Sequence, residues 1–75
     1  MINMMTASII HEIINILSME DSSTVAILTR RLNERGIPCT RQKVERVLRD
    51  LIGKEIIEAY YINSNHRKHY RLRST

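Results

Sequence analysis

Thr40-Arg41-Gln42-Lys43-Val44-Glu45-Arg46-Val47-Leu48-Arg49-Asp50-Leu51-Ile52-Gly53 is the most strongly patterned stretch of the chain. Val44, Val47, Leu48, Leu51 and Ile52 fall at i, i+3, i+4, i+7 and i+8, an unbroken apolar stripe that predicts a helix over about 41–52. Thr40 is the expected N-cap and Gly53 the expected stop. The opposite face carries Gln42, Arg46 and Arg49, flanked by Arg41, Lys43, Glu45 and Asp50.

Just upstream, Gly36-Ile37-Pro38-Cys39 is a short turn. Gly36 suits a left-handed C-terminal residue, and Pro38 forbids continuation of the helix before it. That helix is expected over about 24–35, burying Val25, Ile27, Leu28 and Leu32 and leaving Arg30, Arg31, Asn33, Glu34 and Arg35 mostly outside. Glu20-Asp21-Ser22-Ser23 is a polar break. Before it, Ile9, Ile10, Ile13, Ile14, Ile16 and Leu17 recur at helical spacing, predicting a first helix over about 6–19 with Thr6 or Ser8 as its cap. Its apolar face is wide, so it either fills the core or also packs on a partner.

Downstream the period changes. Glu55-Ile56-Ile57-Glu58-Ala59-Tyr60-Tyr61-Ile62 is β-branched and aromatic, and Lys68-His69-Tyr70-Arg71-Leu72-Arg73 alternates with period two. The polar Asn63-Ser64-Asn65-His66-Arg67 between them makes a turn, giving a hairpin of strands at about 55–62 and 68–73. The expected register sets Tyr61 opposite Tyr70, Ala59 opposite Leu72 and Glu58 opposite Arg73, with the first two pairs on one apolar face. The fold class that results is mainly α with a C-terminal β-hairpin (α+β), in one domain over residues 1–75.

Composition narrows the function. Residues 1–29 hold Glu12, Glu20 and Asp21 and no Lys or Arg, a charge of −3; all 12 Lys and Arg lie in residues 30–75 against five acids, a charge of +7. Such one-sided placement marks a candidate surface for an anionic partner. The single cysteine, Cys39, allows neither a disulfide framework nor a zinc site and points to a cytoplasmic or nucleoid-associated protein. No positive charge or cleavage pattern occurs in residues 1–10, so no signal peptide is expected. The Ile-rich stretch is broken by His11, Glu12 and Asn15, so no membrane span is expected either. No Ser-His-Asp or Cys-His spacing, paired-carboxylate pocket or phosphate-cradling Gly loop is present, which disfavours an enzyme. No cofactor is implied.

Three helices, the last two joined by a short turn, then a hairpin with a basic tip: along residues 8–73 the chain resembles the winged helix-turn-helix family. The resemblance is carried by Val25-Ala26-Ile27-Leu28-Thr29-Arg30-Arg31-Leu32, by Val44 to Ile57, and by Tyr70-Arg71-Leu72. It implies that the third helix enters a major groove and that the hairpin tip touches backbone or minor groove. The side chains agree independently. Arg41, Arg46 and Arg49 suit guanine, Gln42 suits adenine, and Glu45 can accept from cytosine. Thr40 and the N–H groups of that helix's first turn can hold phosphate, Lys43 is a further candidate DNA contact, and Asn65, His66, Arg67 and Lys68 can neutralise phosphates. Winged helices that bind left-handed Z-DNA carry Asn and Tyr where this helix has Glu45 and Arg49, and prolines in the wing, which this chain lacks. The expected function is sequence-specific binding of double-stranded DNA by a small transcriptional regulator. A homodimer through helix 6–19 is the expected assembly. The rival reading is a winged-helix protein–protein interaction module within a larger complex.

Overall fold

The structure is a computed structural model that describes residues 4–62 and 67–73. Helix α1 spans Met4–Met19, α2 Val25–Glu34 and α3 Arg41–Gly53; strands β1, Ile57–Tyr61, and β2, Lys68–Leu72, form an antiparallel hairpin. Three helices followed by a two-stranded hairpin is a winged-helix arrangement, as the sequence predicts. No helix among the described residues is long and apolar enough to cross a membrane.

One core joins every element. Ile9, Ile13, Ile16 and Leu17 of α1 meet Leu28 and Leu32 of α2, Val44, Val47, Leu48 and Leu51 of α3, and Ile57 and Tyr70 of the hairpin. The apolar stripe of α3 is thus buried as its spacing requires. On α1 the wide isoleucine face is largely consumed by this core: only Ile10 and Ile14 are half-buried, and Met5 and Met19 are exposed.

The helix ends are set by local chemistry. Thr24 and Thr40 cap α2 and α3, their hydroxyls accepting the N–H of Ile27 and of Lys43. Gly36, at φ 81°, ends α2, and the N–H groups of Gly36 and Ile37 return to the carbonyls of Asn33 and Leu32. At the other ends the structure corrects the sequence reading. Helix α1 starts before Thr6, so neither Thr6 nor Ser8 caps it. Gly53 stays inside α3, and the left-handed residue that ends this helix is Glu55, at φ 61°. The N–H groups of Glu55 and Ile56 bond Ile52 and Leu51, so these two residues close the helix and β1 begins only at Ile57.

The hairpin register also differs from expectation, by two residues. Tyr61 faces Lys68, Ala59 faces Tyr70, Glu58 faces Arg71 and Ile57 faces Leu72. The reason is burial. Ile57 is 1% exposed and must lie against the core, and the expected register would have carried it past the end of β2. A shift of two preserves which face each side chain takes, so the apolar set Ile57, Ala59, Tyr70 and Leu72 still shares one side. Glu58 accordingly pairs with Arg71 (2.7 Å) and not with Arg73, which reaches Glu55 at 3.6 Å. Ser23 adds a one-residue third strand: its N–H and C=O bond the carbonyl and N–H of Tyr70 at 3.0 and 2.8 Å. This bridge ties the start of α2 to the hairpin.

Candidate nucleic-acid interface

The turn between α2 and α3 fixes how α3 is presented. Asn33, a surface position by its sequence pattern, is its staple. Its side-chain amide donates to the carbonyls of Thr29 (2.8 Å) and Cys39 (3.0 Å), while its side-chain oxygen accepts the Cys39 N–H at 3.4 Å. Cys39 packs half-buried against the core beside it, and burial pushes its thiol above the ordinary value. The turn is therefore bonded at both backbone groups of one residue, immediately before the Thr40 cap.

At about 100° per residue along α3, Gln42, Arg46 and Arg49 point directly away from the buried Val44, Val47, Leu48 and Leu51. All three are exposed. Arg41 and Glu45 are exposed too, on the flank of that outward face nearer the hairpin. There they line a cleft of about 480 Å³ with Arg49 of α3, Arg67 and Lys68 at the start of β2, and Tyr70. Its third wall is the start of α2: Thr24, Val25 and Ala26. The N–H groups of Val25 and Ala26 precede the first intrahelical bond, Leu28 to Thr24, so the cleft receives the positive end of that helix. Neither the first turn of α2 nor Tyr70 is marked by sequence pattern as part of this surface. Tyr70 shows why: at 7% exposed it belongs to the core, and it lines the cleft as well. Burial, then the Glu45 carboxylate, raises its phenol above the usual 10.0, with Arg49 acting against them.

Four expected contact residues are engaged elsewhere or not described. Lys43 is half-buried, and its Nζ donates to Thr6 Oγ1 at 2.9 Å, so it braces α3 against α1. Thr40 is exposed, with its hydroxyl engaged as the cap at 3.1 Å. Asn65 and His66 lie outside the described residues.

The ion pairs sort the cations by face. Arg31 and Arg35 of α2 pair with Glu20 and Glu12 of the first third of the chain. Lys54 pairs with Asp50 at 3.2 Å, and Arg71 and Arg73 pair within the hairpin region. Among the described residues, Arg41, Arg46, Arg49 and Lys68 make no ion pair; Arg30 of α2 and Lys43, which bonds the Thr6 hydroxyl, share that state. The i, i+4 pairing open to Glu45 and Arg49 is not made. The acidic first third is thus spent largely on neutralising α2, and the unmatched positive charge gathers on α3 and the hairpin.

Among the described residues no cluster of three or more His, Cys, Asp or Glu could hold a metal ion. Comparison of the chain with models of protein families, with curated proteins and with solved structures gives no match.

Proposed function

We propose that this chain is a sequence-specific double-stranded-DNA-binding protein, a small transcriptional regulator. Helix α3 lies in the major groove with Gln42, Arg46 and Arg49 toward the base edges. Arg67 and Lys68 meet the backbone or minor groove alongside. A helix of ~10–12 Å diameter matches a groove ~12 Å wide. The observation that carries this reading is that Arg41, Arg49 and Lys68 line one cleft, with Arg46 exposed on the adjoining outer face of α3, and that none of the four has an acid partner among the described residues. Among the described residues five cations are ion-paired, and four of those that are not stand on this one side, a placement that supports an anionic partner better than it supports solubility alone. The start of α2, bordering the same cleft, adds N–H donors suited to a phosphate.

One such unit covers little DNA, so we propose that it acts as a homodimer, with Met5, Ile10, Ile14 and Met19 as the apolar part of the contact. A mass measurement in solution tests the dimer. A randomised-duplex selection followed by titration at several salt concentrations tests the function. With four to six phosphates neutralised, the slope of log affinity against log salt should lie at roughly −4 to −5. Absence of duplex binding at low salt overturns the reading and favours a protein-interaction module.

A further inference from the structure

The cleft contains one charge that a phosphate-binding surface does not need. Glu45 lies between Arg41 and Arg49 in the i±4 row of α3 and lines the cleft with both, with Arg67 and with Lys68. It is exposed and makes no ion pair with Arg41 or Arg49. Neutralising a neighbour is therefore not its structural task. Nor is packing, because the core of α3 is complete in Val44, Val47, Leu48 and Leu51.

An ionised carboxylate accepts hydrogen bonds and cannot donate them. Against a phosphate it is purely repulsive. Against base edges it has two options in the major groove, the amino groups of cytosine and adenine. Adenine sets its N7 acceptor beside that donor, which repels the second carboxylate oxygen; cytosine does not. Resting on the DNA-binding reading above, we propose that Glu45 sets base preference: it weakens contact with the backbone of any duplex and recovers the loss only where a cytosine amino group faces α3. Arg41 and Lys68, beside it in the cleft, hold the duplex close enough for that choice to count, and Glu45 penalises every register that offers it only phosphate. Discrimination then comes from a repulsive element as much as from an attractive one.

The test uses the whole chain and its Glu45→Gln variant, which keeps size and removes the charge. The position is exposed, so the circular dichroism spectrum and Tm should match the parent. Both proteins are taken through a randomised-duplex selection, then titrated with a random-sequence duplex over a salt series. The variant should bind the random duplex several-fold more tightly at each salt concentration. Its preference for C·G at one position of the selected site should fall roughly tenfold or more. Unchanged base preference at every position, or an equal loss of affinity for all duplexes, overturns the proposal while leaving DNA binding intact. If neither protein binds any duplex at low salt, the DNA-binding reading fails, and the role of Glu45 fails with it.

Discussion

Helices α2 and α3 carry three arginines each, counting the C-cap Arg35, and use them in opposite ways. Two on α2, Arg31 and Arg35, turn back to Glu20 and Glu12 and close the α1–α2 side of the molecule electrically. None of those on α3 finds an acid among the described residues, although Glu45 and Asp50 are on the same helix. The residue type is the same and the distance along the chain is short. The difference lies in what faces each helix. Helix α2 meets the acid-bearing α1, whereas the outer face of α3 is exposed and borders, among the described residues, the hairpin's Arg67, Lys68 and Tyr70 and the start of α2. A charge inventory along the sequence cannot separate these cases; a charge inventory by face can.

The contrast can be broken at several points. The largest effect is expected at the brace beneath α3. Leu48 is fully buried, and Leu48→Ala should cost about 2–5 kcal/mol of stability by leaving a cavity. In a chain of 75 residues that is enough to lose both the urea transition and any duplex binding together. Arg46→Ala should do the reverse: about 1–3 kcal/mol of specific duplex binding lost, preference relaxed at one base pair, and Tm unmoved. Lys68→Ala should weaken all duplexes alike. On the other face, Arg35→Ala should lower stability by at most about 1 kcal/mol, since its guanidinium is partly solvated, and leave duplex affinity unchanged. A binding defect in Arg35→Ala equal to that of Arg46→Ala would erase the distinction between the two helices.

The joint between α3 and the hairpin gives a gain of similar size. Glu55 holds a left-handed conformation that costs a non-glycine residue roughly 1–2 kcal/mol, and its side chain has only a long, exposed contact to Arg73. Glu55→Gly should therefore raise the denaturation midpoint, corresponding to a gain of up to about 1 kcal/mol net of the chain entropy that glycine adds. A smaller effect concerns pH. Tyr70 keeps its proton to a higher pH when folded than the usual 10.0, so its contribution to stability is intact below about pH 10 and is lost as pH rises through the folded value. Stability should fall above pH 10, and Tyr70→Phe should make that fall shallower; an identical fall in the variant would place its cause elsewhere.

What the sequence made legible follows the strength of each local signal. The three helices were readable because Val44 to Ile52 and Ile9 to Leu17 repeat at helical spacing, and Gly36 fell where a left-handed turn was needed. The true end of α3 was hidden because Gly53 looks like a stop, while the residue that adopts the unusual backbone is a glutamate. Hairpin faces were legible and the register was not. Alternation fixes parity, but the choice between registers two residues apart depends on where Ile57 meets the core and on Ser23 pairing with Tyr70, both long-range facts. The outward set Gln42, Arg46 and Arg49 could be read from periodicity alone. Lys43 could not, because the same periodicity sets it on a flank, and only the approach of α1 shows that it bonds Thr6.

The most direct test of the electrostatic contrast removes equal charge from the two helices. Arg31→Gln with Arg35→Gln, and Arg46→Gln with Arg49→Gln, each take two charges from a net +4. Duplex affinity measured over a salt series should stay near that of the parent for the first pair. For the second it should fall steeply, with the salt slope shallower by up to about 1.8. Equal losses in the two double variants would mean that net charge alone attracts the duplex, and that the outer face of α3 has no special part in holding it.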